Sequence, residues 1–155
     1  MGSGYSPQEL LHLALGVEQS GRQVYEHFEK NAKNPELKKT WALLKEDEAE
    51  HSRVFQDLLR EVAPGQAAAA PPSPYLKAVA SSCIFSESRL ARMVLKGLGS
   101  DSEALEFGIF FEKESIFTYI TLQERLTGDA GRLLDRIIAE EKRHLIRLTG
   151  LLDRA

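Results

Sequence analysis

The stretch LKKTWALLKEDEAEHSRVFQDLLREV, residues 37–62, decides the fold. Its apolar side chains recur at alternating steps of four and three residues, which is the spacing of a helix that packs one face into a bundle. The seam positions are Leu37, Trp41, Leu44, Glu48, His51, Phe55, Leu58 and Val62. Only Glu48 and His51 interrupt this apolar seam. The stretch therefore predicts a core helix whose acid and imidazole share one face and can bind one metal ion.

A second Glu-x-x-His pair occurs near the end of the chain, in Glu141-Lys142-Arg143-His144. This pair also interrupts an apolar seam. The seam positions are Leu134, Ile137, Glu141, His144, Leu148 and Leu151. One Glu-x-x-His pair is common in a Glu-rich protein and says little alone. Two pairs on two core seams predict a shared buried metal site.

Two further glutamates fall on predicted core seams, Glu18 in the first helix and Glu112 in the third. Each is followed by a small residue three positions later and by a tyrosine seven positions later. These residues are Gly21 and Tyr25 in the first half, and Ser115 and Tyr119 in the second. Glu48 follows Glu18 by 30 residues (48 − 18), and Glu141 follows Glu112 by 29 residues (141 − 112). The two halves of the chain therefore repeat their polar core residues.

Helix-start and helix-stop signals divide the chain into four predicted helices. Ser6 and Pro7 begin the first helix, and Glu9 completes a capping box. The predicted helices run from Ser6-Pro7 to about Asn31, from Asn34-Pro35 to about Val62, from Ser100 to about Leu126, and from about Ala130 to Leu152. No segment alternates with the period of a strand over a useful length. The predicted class is therefore all-α, with the helices arranged as a four-helix bundle.

Residues 63–98 are predicted to form a long crossover between the second and third helices. The Ala-rich and Pro-rich part, residues 63–74, cannot continue a helix. Residues 75–98 are predicted to form one or two short helices that lie across the bundle. Residues 1–5 are expected to be a flexible start. With 155 residues, the chain is long enough to form a single domain with its own core.

The composition argues against several other classes of protein. Apolar residues make up 43% of the chain and charged residues 28%, and the net charge is −3 with acids and bases interspersed. A nucleic-acid partner is not expected, because such proteins usually carry a clustered basic surface. No membrane partner is expected, because no apolar run approaches the length of a membrane span. No signal peptide is expected, because the N-terminus has no basic region followed by an apolar one. The single Cys83 rules out a disulfide within the chain and favours a reducing, cytoplasmic setting.

Four carboxylates on inward seams need partners, because an isolated buried carboxylate is costly and either takes up a proton or finds a cation. Two divalent cations would neutralise the four glutamates and use both imidazoles. Four Glu and two His are the ligand set of di-iron and di-manganese carboxylate bundles. Mixed oxygen and nitrogen ligands suit iron or manganese, and zinc is also possible. The candidate ligands are Glu18, Glu48, His51, Glu112, Glu141 and His144.

Other polar residues near these seams have two interpretations. Tyr25 and Tyr119 either pack in the core or donate a hydrogen bond to a metal-binding carboxylate. Gly21 and Ser115 either let the helices pack closely or leave space beside the metals for dioxygen or peroxide. The acids interpreted as solvated helix faces are Glu46, Asp47, Glu50, Glu114 and Glu140.

These motifs resemble the rubrerythrin-like branch of the ferritin-like superfamily. The stretches that carry the resemblance are Leu15-Gly16-Val17-Glu18 with Tyr25-Glu26, Trp41 through His51, Phe111 through Ile116 with Tyr119, and Glu140 through Leu145. The resemblance covers nearly the whole chain, from about Ser6 to Leu152, and is more specific for the metal site than for the reaction. It implies a ferritin-like four-helix bundle with a long crossover between helices two and three.

The resemblance also implies a role for each candidate ligand. The implied roles are terminal ligands for Glu18 and Glu112, bridging ligands for Glu48 and Glu141, and one ring nitrogen per metal from His51 and His144. Rubrerythrin-type sites reduce hydrogen peroxide to water while two Fe(II) become Fe(III). We therefore expect two iron ions as the cofactor and hydrogen peroxide or dioxygen as the substrate.

Two departures from the family bear on the reaction. Rubrerythrins proper carry a rubredoxin domain that supplies electrons, and one cysteine cannot build it. A separate electron donor protein is therefore expected. Rubrerythrins also tend to have a second Glu one turn beyond the third-helix ligand, where this chain has Ser115. Without that Glu, the site lacks the ligand exchange that accompanies redox cycling in the family.

Three functions remain open on these residues. The leading hypothesis is a non-haem di-iron oxidoreductase that reduces hydrogen peroxide or dioxygen in oxidative-stress defence. A ferroxidase that handles iron is an alternative within the same chemistry. A metal-binding structural or regulatory bundle without catalysis is an alternative of another class. We also expect a homodimer, because ferritin-like bundles often pair.

Overall fold

The computed structural model describes residues 6–62, 74, 99–123 and 126–155, and these residues form four helices without a strand. The helices are α1, Pro7–Asn31; α2, Pro35–Val62; α3, Asp101–Gln123; and α4, Gly128–Asp153. The predicted all-α class is confirmed. The expected flexible start at residues 1–5 lies outside the described residues. So do Cys83 and, apart from Pro74, the expected crossover at residues 63–98.

The helix ends follow local chemistry that is visible in the sequence. At the start of α1, the backbone N–H of Glu9 donates to the Ser6 hydroxyl, and the Glu9 carboxylate accepts from the Ser6 backbone, which completes the predicted capping box. One predicted start needs correction, because α4 begins two residues earlier than predicted, at Gly128. α3 is described to Gln123, and residues 124 and 125, before its predicted end near Leu126, lie outside the described residues. The φ of Gly128 is 66°, a conformation that glycine adopts without steric cost.

The four helices form two antiparallel pairs, α1 with α2 and α3 with α4, and α1 also packs on α3 while α2 packs on α4. The start of α3 lies at the α1–α2 turn, where the backbone N–H groups of Lys33 and Asn34 donate to the carboxylate of Asp101 at 3.1 and 2.9 Å. From that turn α2 extends about 42 Å, at about 1.5 Å per residue. Therefore α2 ends and α3 begins at opposite ends of the bundle, as a crossover connection requires.

Two apolar clusters fill the core, one toward each end of the bundle. One cluster is built around Trp41 and Phe28, and the other around Phe55 and Leu11. Burial of each such large apolar side chain contributes about 1.5–3 kcal/mol. The polar residues of the seams lie between the two clusters. Apolar side chains therefore cover this polar layer on both sides along the bundle axis.

The outer face of α3 carries large apolar side chains that are exposed, namely Phe110, Phe117 and Ile120. α3 therefore lacks the clear division into apolar and polar faces that the other helices have. The expected homodimer stays a prediction, since a single chain does not test it. In the described part of the chain, no helix is both long enough and apolar enough to cross a membrane.

Candidate metal centre

The six predicted ligands converge between the two apolar clusters, and each is at most 6% exposed. They form two overlapping sets, in each of which one ligand atom per residue lies within 4.8 Å of the others. The sets are Glu18, Glu48, His51 and Glu141, and Glu48, Glu112, Glu141 and His144. Glu48 and Glu141 belong to both sets, which is the position that a bridging carboxylate between two cations requires.

Both imidazoles point Nδ1 into the cluster. Nδ1 of His51 lies 3.0 Å from Glu141 and 3.2 Å from Glu18. Nδ1 of His144 lies 3.3 Å from Glu141 and 3.6 Å from Glu112. The two rings are nearly parallel, with centroids 6.2 Å apart. Each carboxylate–imidazole pair is thus arranged around a common centre.

The buried atoms of this cluster fit a pair of metal ions. Within the described residues, seven buried side-chain atoms of the cluster have no hydrogen bond: both carboxylate oxygens of Glu141, Oε2 of Glu18, Oε1 of Glu48, Oε2 of Glu112, and Nδ1 of His51 and His144. Unpaired buried polar atoms are rare because each costs free energy. All seven are atoms that bind divalent cations through lone pairs. The donor set therefore matches a dinuclear metal centre.

The metal-free carboxylates carry the cost of their burial. Burial raises the pKa of Glu18, Glu48 and Glu112, and the neighbouring glutamates raise the pKa of Glu48 further. Glu141 is the exception: burial raises its pKa, but the imidazoles of His144 and His51, whose Nδ1 atoms lie 3.3 and 3.0 Å away, outweigh burial and lower it. Glu141, which faces both histidines, is thus the site's most acidic carboxyl. A bound cation would offset the cost of burying the other three carboxylates.

The two histidines have raised pKa values because carboxylates surround them. Burial alone lowers the pKa of a histidine, but the surrounding carboxylates outweigh it. The nearby carboxylates of Glu141 and Glu18 raise the pKa of His51 to about 11. The carboxylates of Asp47, Glu112 and Glu141 raise the pKa of His144 to about 12. Each protonated imidazole therefore supplies a positive charge beside the buried carboxylates.

Tyr25 and Tyr119 make reciprocal contacts across the α1–α3 interface. The hydroxyl of Tyr25, on α1, donates to Glu112 on α3, and that of Tyr119, on α3, donates to Glu18 on α1. Burial raises the pKa of both phenols, so they stay protonated and act as donors. Of their two interpretations, the geometry favours the hydrogen bond to a candidate ligand. Each phenol fixes the orientation of one outer carboxylate.

Asp47 and Glu140, predicted from the sequence to be solvated acids, are 52% and 35% exposed, and each also contacts a candidate histidine ligand. Nε2 of His51 lies 2.6 Å from Oε2 of Glu140, and Nε2 of His144 lies 3.0 Å from Oδ2 of Asp47. A carboxylate on the outer nitrogen of a metal-binding histidine orients the ring and fixes which nitrogen carries the proton. One signal in the sequence could have found them, since an acid stands immediately before the Glu of both Glu-x-x-His pairs.

Gly21 and Ser115 occupy matching positions but have different surroundings. A Cβ at Gly21 would lie 2.6 Å from Oε2 of Glu48 and 2.9 Å from the ring of Phe111, so only glycine leaves room for this carboxylate. The Ser115 hydroxyl donates to the carbonyl oxygen of Phe111 at 3.1 Å and is buried. Gly21 therefore allows the close approach of Glu48 to α1.

Comparisons with known proteins agree with this geometry. A family model described as rubrerythrin matches residues 9–152. The crystal structure of a protein assigned as a ferritin-like diiron-carboxylate protein, from Thermotoga maritima, is 23% identical, with a TM-score of 0.75 over 99% of this chain and 98% of that chain. This likeness shows the fold, and the predicted ferritin-like bundle is confirmed. A comparison with curated proteins gives no match.

Proposed function

Because this chain belongs to the rubrerythrin family, we propose that its buried cluster holds two iron ions and that the protein is a non-haem di-iron oxidoreductase acting on hydrogen peroxide or dioxygen. The observation that carries this proposal is the set of seven buried ligand atoms that have no hydrogen bond, arranged in two overlapping groups. A purely structural cluster would be expected to satisfy these atoms by hydrogen bonds.

Two bound iron ions would supply two electrons, as each Fe(II) becomes Fe(III), and these electrons with two protons reduce one hydrogen peroxide to two waters. Glu18 and His51 would serve one ion, Glu112 and His144 the other. Glu48 and Glu141 would be shared. Four glutamates balance the charge of two Fe(II) ions, which removes the repulsion that burial creates among them.

The surrounding residues prepare the site for this role. The outer acids Asp47 and Glu140 hold the imidazole rings so that Nδ1 faces inward. Tyr25 and Tyr119 hold the two outer carboxylates and keep a phenol proton at Glu112 and Glu18. The apolar clusters at both ends exclude water from the layer. A separate electron carrier protein would return the centre to its reduced state.

The test combines metal analysis with oxidant stoichiometry. The protein is loaded with Fe(II) without oxygen, its iron content is measured, and hydrogen peroxide is added in steps while visible absorption is followed. We expect two iron ions per chain and oxidation complete at one peroxide per two Fe(II). Glu48→Ala should lose the iron, whereas Glu46→Ala, which removes an exposed acid of the same helix, should keep it.

The outcomes separate the alternatives. Repeated peroxide turnover with an added reductant supports the proposed oxidoreductase. Steady consumption of free Fe(II), with little peroxide turnover, would instead favour a ferroxidase. Stable binding of two metals that neither peroxide nor dioxygen oxidises would leave a structural or regulatory site and contradict the proposal.

A further inference from the structure

Three arginines line one exposed face of α4 beside the candidate metal centre. Arg136, Arg143 and Arg147 are exposed, and with Glu140 they follow the helical spacing of four, three and four residues. Residues at this spacing lie on one side of a helix. Glu140, within this row, is the acid that contacts His51. The arginine face is defined here by Arg136, Arg143 and Arg147.

The arginine face carries more positive charge than the acids in contact with it neutralise. Arg143 lies 3.6 Å from Glu140, while Arg136 and Arg147 form no ion pair or hydrogen bond within the described part of the chain. Glu140 is the single acid in this row and is already engaged by His51. The chain as a whole carries −3. A cationic face on an acidic protein favours contact with an acidic partner.

Two acids at the interface of α2 and α4, one of them within the arginine row, connect the centre to solvent. Glu140 is 35% exposed and Asp47 is 52% exposed, and each contacts one candidate histidine ligand directly. On the opposite side, by contrast, the contacts of Tyr25 and Tyr119 are fully buried.

We propose that a small electron carrier protein with an acidic surface docks on the arginine face of α4 and reduces the centre from there. This inference rests on the proposed function, because only a redox centre needs such a partner. Each encounter transfers one electron from the carrier to one Fe(III), which becomes Fe(II). Two encounters oxidise two carrier molecules and return both ions to Fe(II), ready for one peroxide.

The first test measures docking without any redox reaction. Zinc-substituted rubredoxin serves as an acidic, redox-inert probe, and cytochrome c serves as a basic one. We expect the protein to bind the acidic probe more tightly, with an affinity that falls as salt is raised to about 0.3 M. The double variant Arg136→Glu with Arg147→Glu should weaken binding at least ~10-fold. Arg22→Glu, an exposed charge reversal on α1, is the control and should bind like the wild type.

The second test measures electron transfer to the oxidised, iron-loaded protein without oxygen, from reduced rubredoxin and from dithionite. The double variant should be reduced at least ~10-fold more slowly by rubredoxin and at the wild-type rate by dithionite. Unchanged rubredoxin binding and reduction in this variant, or an equal loss in Arg22→Glu, would overturn the docking site while leaving the proposed function intact. If dithionite also fails to reduce the wild type, the redox function fails, and this inference fails with it.

Discussion

His51 on α2 and Glu140 on α4 are joined by a contact of 2.6 Å between Nε2 and Oε2. His144 on α4 makes the corresponding contact, 3.0 Å long, with Asp47 on α2. The two contacts run in opposite directions across one helix interface. Each leaves Nδ1 of its histidine turned toward the carboxylates, so the orientation of both rings depends on acids that lie outside the buried cluster.

Removal of either outer acid should weaken metal binding without abolishing it. For Glu140→Ala and for Asp47→Ala, we expect a ~10- to 100-fold loss of affinity, because the histidine ring loses its orientation. Competition with a chromophoric chelator measures this loss. Glu46→Ala removes an exposed acid next to Asp47 and should leave the affinity unchanged. Wild-type affinity in both Glu140→Ala and Asp47→Ala would show that the rings do not need these acids.

Neutralisation of one shared carboxylate should have opposite effects with and without metal. Glu48→Gln removes a buried acid whose pKa is raised by burial and by Glu18, Glu141 and Glu112. The metal-free variant should be more stable than the metal-free wild type, by about 1–4 kcal/mol at pH 8. With Fe(II) present, the order should reverse, because the variant cannot complete the ligand set. Thermal unfolding with and without metal gives both values, and a less stable metal-free variant would contradict this account.

The stability of the metal-free protein should fall as pH rises. The pKa values of His51 and His144 are raised from 6.5 to about 11 and about 12. Their stabilisation is fully present below pH 6.5 and is lost as pH rises toward these values. The raised pKa values of Glu48 and Glu112 act in the same direction, from pH 4.5 upward. Urea unfolding between about pH 6.5 and about pH 9.5 should show this decline.

Metal binding should depend on pH in the opposite sense. The histidines, whose pKa values are raised to about 11 and about 12, must lose protons before a cation can bind, so metal uptake releases protons and its affinity rises with pH. Calorimetry in two buffers with different ionisation enthalpies counts the released protons. Uptake without proton release would mean that the cluster is already deprotonated in the metal-free protein.

A methyl group at Gly21 should disturb the centre, whereas the same change at Gly16 should not. Gly21→Ala places Cβ 2.6 Å from Glu48 and should displace this carboxylate. We expect a loss of about 1–3 kcal/mol of stability and less than full metal content. Gly16→Ala lies on the same helix, meets nothing within 4 Å, and should be stabilising by up to about 1 kcal/mol. Full metal content in Gly21→Ala would show that the carboxylate does not need this space.

The two tyrosines should act on different halves of the centre. Tyr25→Phe removes the donor to Glu112, which belongs to the set with His144. Tyr119→Phe removes the donor to Glu18, which belongs to the set with His51. Stepwise Fe(II) titration should therefore show one weakened site in each variant and two in the double variant. Equal weakening of both sites by either single change would contradict this division.

The helical period was sufficient to place the six candidate ligands, because a seam with steps of three and four faces the core along its whole length. The same rule did not predict the histidine contacts of Asp47 and Glu140. Each precedes a seam position by one residue and therefore falls at the edge of the buried face. Such an acid faces either solvent or a side chain of the neighbouring helix, depending on the separation of the two helices. The residue pattern within one helix does not give this separation.

The sequence also does not predict how closely a side chain approaches the backbone of a neighbouring helix. Gly21 and Ser115 hold equivalent places in the repeat, and their residue types allow similar packing. In the structure, only Gly21 faces a carboxylate closely enough to exclude a side chain. α4 begins earlier than the apolar pattern predicts, at Gly128, where glycine adopts a positive φ.

The repeat has a consequence for how the centre forms. Neither helical pair completes a ligand set, because each set combines residues from both halves. The tyrosine and outer-acid contacts likewise connect one half to the other. The centre is therefore complete only when both helical pairs have packed together, and a bound pair of metal ions would join the two halves of the bundle.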